Sequence, residues 1–236
     1  MTAAAPAGGV AEAIEPLTLE VLRHPFVTGL ADGSLPRAAF RRFLLQDGLF
    51  LEDFGRALAL CAARAPRAGD LRLLCGHAGD ALDVERELHE HLTHRLGIGA
   101  AEVRATRPGP TTLAYGSFLV RAAATGAPAE ALAALAPCYL MFRRVGTALA
   151  GAGSPDPEYA AWIATYDGDA FGAATDSYAE VCERALAGLA GDARDAALDA
   201  ARAAARYEWM FWEAAWTGEE WPGPGVTRCS PSRTSG

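Results

Sequence analysis

The chain contains no lysine, and all 21 of its basic residues are arginines. Its 29 acidic residues outnumber them, which gives a formal net charge of −8 at pH 7. A surface that binds nucleic acid needs a concentrated basic patch to neutralise phosphates. The charge balance therefore argues against nucleic acid as a partner.

The sequence also lacks any C-x-x-C pair, the spacing that zinc sites and redox motifs use. An odd number of widely spaced cysteines is typical of reduced thiols rather than of a disulfide framework. We therefore expect a cytoplasmic protein. The five cysteines are Cys61, Cys75, Cys138, Cys182 and Cys229.

Long apolar runs are missing as well. The longest charge-free apolar stretches, such as residues 131–142, fall short of the roughly 18 residues that a membrane-spanning helix needs. Residues 1–15 carry no positive charge ahead of an apolar segment, so they lack the layout of a signal peptide. We expect no membrane association and a flexible N-terminus over residues 1–14.

Alternating β-branched residues, the period-two pattern of a strand, do not occur in the chain. Amphipathic stretches separated by Pro and Gly predict instead a single all-α domain over residues 15–220, a bundle of seven to eight helices. Residues 221–236 are rich in Pro, Ser and Gly and are expected to form a disordered tail. The predicted helices cover about 15–29, 36–65, 70–96, 111–124, 129–149, 158–166, 169–189 and 192–216.

An ionisable residue interrupts the apolar stripe of the second predicted helix. Asp47 lies between Leu44 and Leu51 at helical spacing. Burial of an unpaired carboxylate is costly. Two explanations stand at this point: a structural salt bridge to an arginine on a neighbouring helix, or a functional carboxylate.

Three predicted helices each place one reactive group beside one aromatic ring at the i+3 or i+4 position. A site for a flat aromatic substrate needs this combination of rings with an acid, a base and a thiol. The alternative is ordinary core packing, because such offsets are common and a buried cysteine is usually inert. The three pairs are Asp47 with Phe50, Cys138 with Phe142, and Glu208 with Phe211.

Two tyrosines lie in apolar helical contexts. Tyr115 follows Leu113-Ala114, and Tyr166 ends the segment that begins at Trp162. A buried tyrosine hydroxyl needs a hydrogen-bond partner. Each of the two therefore either lines a polar pocket or faces water at a helix end.

The histidines offer two further alternatives, a metal site and a haem site. A cluster of His89, His91 and His94 with Glu85 has ligand-like spacing, but a di-metal bundle takes its ligands from several helices and no histidine follows residue 94. Haem ligation by His24 is disfavoured because the next residue is proline, which biases His24 away from helical geometry. We expect no metal and no cofactor.

Four segments, in this order along the chain, resemble the TenA family, the thiaminase II or aminopyrimidine aminohydrolase proteins. The similarity covers about residues 15–217. It implies a haem-oxygenase-like helical fold without haem, usually a homotetramer, acting in cytoplasmic thiamine salvage. The segments are residues 24–54, the Pro137-Cys138 element, Trp162-Ile163-x-x-Tyr166, and residues 208–212 with the sequence EWMFW.

The resemblance also assigns roles to residues. Cys138 resembles the family nucleophile, Glu208 the acid/base, and Asp47 the carboxylate that contacts the aminopyrimidine. Tyr115 and Tyr166 resemble the pocket tyrosines. Phe211 resembles the ring that stacks on the pyrimidine, and the presence of the cysteine places the chain in the Cys-containing branch.

Phe50 and Phe142 depart from the family pattern, which usually has tyrosine at both positions. The loss of two hydroxyls from the expected site points either to an altered substrate or to tolerated variation, since both rings remain for packing. We expect an aminopyrimidine hydrolase. The alternatives are a TenA-like protein with a diverged heterocyclic substrate and a non-catalytic ligand-binding or regulatory relative.

Overall fold

A computed structural model describes residues 9–223, with only the backbone described for residues 84–94. Every regular element in these residues is an α-helix, which confirms the predicted all-α class. No helix in this part of the chain is long and apolar enough to cross a membrane. The helices are α1 (Val10–Leu22), α2 (Pro25–Asp32), α3 (Arg37–Ala63), α4 (Ala68–Arg95), α5 (Ala100–Ala105), α6 (Pro110–Thr125), α7 (Pro128–Ala150), α8 (Pro157–Asp167), α9 (Asp169–Leu186) and α10 (Asp192–Thr217).

The described residues thus form ten helices rather than the expected seven or eight. The predicted first helix divides into two because Pro25 starts a new helix, and α5 is a short additional helix. Helix α1 begins at Val10, inside the expected flexible segment, because Val10 and Ile14 extend its buried stripe. The remaining predictions for the two ends fall on residues 1–8 and 224–236, outside the described residues.

The first residues of the predicted tail contact the bundle. Trp221 is half exposed, yet its indole N–H donates a hydrogen bond to the carbonyl oxygen of Pro108 at 2.9 Å. This contact ties the end of α10 to the start of α6. The structure therefore shows the first residue of the predicted tail in contact with the bundle.

Four of the helices begin with proline as their first residue: α2, α6, α7 and α8. Proline suits this position because its fixed φ is helical and its missing N–H has no partner within the helix. At α8 the Asp156 side chain adds a cap, accepting hydrogen bonds from the amides of Glu158 and Tyr159 at 3.0 and 3.4 Å. The sequence thereby fixes where three of the site-bearing helices start.

Helix α7 lies at the centre of the bundle and packs against α1, α3, α6, α8, α9 and α10. Its small side chains permit this close packing, since Ala133 and Ala134 are completely buried. The eight predicted site residues lie on α3, α6, α7, α8 and α10. Helix α7 therefore carries two of these residues and contacts every other helix that carries one.

Helices α7 and α8 approach closely at Gly146. A Cβ atom at this position would lie 2.5 Å from the carbonyl carbon of Tyr166 and 2.8 Å from the amide nitrogen of Asp167. Both are backbone atoms, so no side-chain rotation can relieve the clash. The glycine thus sets the distance between α7 and the residue Tyr166.

We predict that Gly146→Ala lowers the free energy of unfolding by about 1–3 kcal/mol, because α8 must move away from α7. Chemical denaturation monitored by circular dichroism measures the change. Gly76→Ala on α4 is the matched control, because a Cβ there meets nothing within 4 Å, and it should be neutral or stabilising. Equal stability of Gly146→Ala and the wild type would contradict the close-approach argument.

Candidate active site

A cavity of about 440 Å³ lies between α3, α4, α7, α8 and α9. Four of the eight predicted site residues line it: Asp47, Cys138, Phe142 and Tyr166. Its volume is in the range of small-molecule sites. The structure therefore brings residues from three distant parts of the sequence to one small-molecule-sized space.

The other four predicted residues form a layer behind this wall. The Tyr115 hydroxyl donates a hydrogen bond to Oε1 of Glu208 at 2.7 Å. Phe50 stacks on Tyr115 with ring centroids 4.7 Å apart, and Phe211 lies 5.7 Å from Phe50. All four are buried. The deeper layer is therefore apolar except for one hydrogen-bonded carboxyl–phenol pair.

Glu208 is almost completely buried, with 1% of its surface exposed. Its pKa is raised to about 8: burial raises it most, the Tyr115 hydrogen bond lowers it, and the charge of Asp47 raises it. At pH 7 a carboxyl group with such a pKa is protonated about nine times in ten. Glu208 is therefore a proton donor at neutral pH.

Cys138 is only partly buried and faces the cavity. Burial of its sulfur raises the pKa of the thiol well above its usual range, and the charges of Glu208 and Asp47 raise it further. Cys138 is therefore in the thiol form at neutral pH. Cys182, in contrast, does not line the cavity. It is buried in the core, and burial raises the pKa of its thiol to about 12.

Both predicted pocket tyrosines are buried, so neither faces water at a helix end. Tyr166 lines the cavity, whereas Tyr115 contacts Glu208 behind it. Phe142 lies 4.9 Å from Tyr166, ring centroid to ring centroid. The phenyl rings of Phe50 and Phe142 therefore retain aromatic packing at the two positions where the family usually has tyrosine.

Sequence reasoning missed two polar residues of the cavity wall, His77 and Tyr139. His77 is buried, and its Nδ1 lies 2.9 Å from the hydroxyl oxygen of Tyr139. The available signal was the spacing from the buried Leu74, which places His77 on the same face of α4. The cavity thus has a polar wall in addition to its carboxylates and thiol.

The alternative haem ligand does not fit the structure. His24 caps α2, and its Nδ1 accepts a hydrogen bond from the Phe26 amide at 3.1 Å. Its Nε2 lies 3.0 Å from a carboxylate oxygen of Glu213. Both ring nitrogens are therefore engaged. The side chains of the cluster Glu85, His89, His91 and His94 lie outside the described residues.

Comparison with solved structures supports the predicted fold. The structure of a domain from Shewanella denitrificans OS217, described as having a heme oxygenase-like fold, superposes with a TM-score of 0.70 at 14% identity. The match covers 89% of this chain and 91% of that one. At this level of identity the likeness concerns the fold alone. It confirms the predicted haem-oxygenase-like architecture.

Sequence relatives extend the likeness to a family. An aminopyrimidine aminohydrolase of Bacillus subtilis (strain 168) is 32% identical over 216 residues, which cover 90% of this chain and 92% of the relative. A TenA family transcription regulator from Silicibacter sp. TM1040 has a TM-score of 0.82 at 30% identity, with 90% and 98% of the two chains covered. A model of the TENA/THI-4/PQQC family matches residues 11–218. The resemblance read from the sequence is therefore confirmed, and the chain belongs to the TENA/THI-4/PQQC family.

Proposed function

We propose that this protein is a hydrolase of thiamine salvage. It acts on a 4-amino-2-methylpyrimidine and replaces the group on the exocyclic methylene by hydroxyl from water. The observation that carries the proposal is a cavity lined by the Cys138 thiol and Asp47, with the protonated carboxyl group of Glu208 buried behind its wall and close enough for its charge, when ionised, to raise the pKa of the thiol. The Bacillus subtilis relative, named for aminopyrimidine hydrolysis, supports the same reaction.

The cavity suits a flat heterocycle. Aromatic rings of Phe142 and Tyr166 form part of its wall, and such rings favour stacked or edge contacts with a planar substrate. The carboxylate of Asp47 accepts a hydrogen bond from the amino group of the pyrimidine. The ring is thereby held with its edge toward Cys138.

The first chemical step forms a covalent bond between enzyme and substrate. The sulfur of Cys138 adds to a ring carbon next to a ring nitrogen, and the thiol proton passes to Asp47 or, where Asp47 holds the substrate amino group, to water. Glu208 gives its proton to that nitrogen, so the ring does not accumulate negative charge. The amino nitrogen then drives its electron pair through the ring and expels the leaving group from the methylene carbon. Covalent catalysis thus divides one difficult displacement into easier steps.

The second step restores the enzyme. Water adds to the exocyclic methylene and supplies the new hydroxyl. Glu208 takes back the ring proton, the carbon–sulfur bond breaks, and aromaticity returns. The sulfur regains the proton that it lost in the first step, and the second proton of the water passes to the leaving group or to solvent. The net reaction consumes one water and releases the alcohol and the leaving group. A carboxyl group that both gives and takes a proton near neutral pH needs a raised pKa, as burial provides for Glu208.

Location and assembly are part of the same proposal. We assign the protein to the cytoplasm because its widely spaced cysteines are typical of reduced thiols. We assign it a homo-oligomeric state, a tetramer, on the family resemblance. Sedimentation analysis of the purified protein measures that state.

We predict that Cys138→Ala and Glu208→Gln each lower turnover at least about 1,000-fold, because each removes a group that the covalent step requires. The assay follows ammonia release from 4-amino-5-aminomethyl-2-methylpyrimidine, with thiamine tested in parallel. Cys75→Ala is the matched control, because this thiol is exposed on α4, outside the cavity-lining residues, and it should retain wild-type activity.

Near-wild-type rates in either cavity variant would overturn the covalent mechanism. Absence of turnover of both compounds by the wild type would instead favour a diverged heterocyclic substrate or a binding role, with Phe50 and Phe142 as the first positions to restore to tyrosine. Circular dichroism of each variant shows whether the fold is intact.

We predict that Tyr115→Phe moves the basic limb of the kcat/KM profile to higher pH by about one unit. The hydrogen bond from Tyr115 lowers the pKa of Glu208, so its removal raises that pKa above about 8. The measurement is kcat/KM from pH 6 to 10. Tyr178→Phe is the control, because its hydroxyl donates to the Leu132 carbonyl instead. A basic limb that stays in place or moves to lower pH would show that the Tyr115 hydrogen bond does not lower the pKa of Glu208.

A further inference from the structure

A chain of three polar side chains reaches the cavity without a part in the mechanism above. Tyr139 on α7 and His77 on α4 both line the cavity. The Tyr139 hydroxyl oxygen lies 2.9 Å from Nδ1 of His77, and Nε2 of His77 lies 3.3 Å from Oγ of Ser177 on α9. The three helices thus converge on one hydroxyl at the cavity wall.

The direction of these hydrogen bonds follows from counting protons. Ser177 has one hydroxyl proton and donates it to the Ala174 carbonyl at 2.9 Å. The Ser177 oxygen must therefore accept from His77, so the imidazole proton sits on Nε2. Burial lowers the pKa of His77, against the charge of Asp80, and favours the neutral ring with a single proton. Nδ1 of His77 is then an acceptor, and the Tyr139 hydroxyl is the donor.

The Tyr139 oxygen keeps lone pairs that the His77 contact does not use. With its only proton committed to His77, the hydroxyl of this cavity-lining residue can only accept a hydrogen bond from a bound group. Tyr139 follows Cys138 in sequence. The pKa of Tyr139 is raised mainly by burial and also by the charges of Cys138 and Asp80. Tyr139 therefore adjoins Cys138 on α7 and lines the same cavity. A group bound there meets an acceptor and does not meet a donor.

We propose that Tyr139, positioned by His77 and Ser177, is a specificity-determining residue that accepts a hydrogen bond from the N–H of an amine leaving group. The site then favours aminomethylpyrimidines over thiamine. A protonated aminomethyl group carries N–H donors at the atom that departs, whereas the ring nitrogen of a thiazolium carries none. This inference rests on the proposed function and identifies the class of leaving group.

The test compares kcat/KM for 4-amino-5-aminomethyl-2-methylpyrimidine and for thiamine in the wild type and in Tyr139→Phe. The variant keeps the ring and removes the hydroxyl, which is both the acceptor for the leaving group and the donor to His77, so the ratio of the two values should fall by about 10- to 100-fold. Tyr178→Phe is the matched control. Its ring stacks on Tyr139 at 4.5 Å, but its hydroxyl bonds to Leu132, and the ratio should stay within about twofold of wild type.

A second measurement, by NMR, tests whether His77 and Ser177 position Tyr139. Nitrogen-15 NMR of the imidazole should find the proton of His77 on Nε2, and Ser177→Ala should weaken that preference and lower the same ratio in part. A proton on Nδ1 would overturn the proposal, because Tyr139 would then accept from His77.

The kinetic outcomes distinguish a failure of the specificity role of Tyr139 from a failure of the proposed function. An active wild type with an unchanged ratio in Tyr139→Phe overturns the specificity role alone. A wild type that turns over neither compound overturns the proposed function and the specificity role together. A fall in the ratio that Tyr178→Phe reproduces also overturns the role of Tyr139, because it would reflect altered packing.

Discussion

The burial of one carboxyl group, that of Glu208, is the constraint on which the rest of the site depends. The group lies in an aromatic layer and accepts a hydrogen bond from Tyr115 at 2.7 Å. Burial holds its pKa at about 8 instead of the ordinary 4.5. Between these two values the folded chain keeps a proton that the unfolded chain has released, so the free energy of unfolding falls as pH rises through that window. The lower free energy of unfolding thus accompanies a carboxyl group that keeps its proton at neutral pH.

Burial also raises the pKa of the Cys138 thiol. Cys138 has a raised pKa because the cavity wall desolvates it and because Glu208 and Asp47 lie nearby. In the proposed mechanism this thiol gives up its proton only when a bound substrate changes its surroundings. Central helix α7 holds the thiol against the helices that carry the carboxyl groups, and Gly146 sets how closely α8 and Tyr166 approach it. Reactivity therefore depends on how closely these helices pack.

The residues that the sequence predicts well are those whose neighbours along the chain reveal their face. The stripe around Asp47 on α3 and the prolines that start α6 and α7 are such cases. His77 is different, because its role depends on Tyr139 and Ser177, which lie 62 and 100 residues away in the chain. The early start of α1 at Val10 depends on packing of α1 against α7 and α10, which local sequence does not show.

The most direct test of this account is a carbon-13 NMR titration of the protein with labelled glutamate carboxyl groups. Glu208→Gln identifies the signal by its disappearance. We expect that signal to titrate near pH 8, as burial beside Tyr115 requires. Titration near the ordinary value of 4.5 would mean that Glu208 is ionised at neutral pH, and it would contradict the acid role on which the proposed mechanism depends.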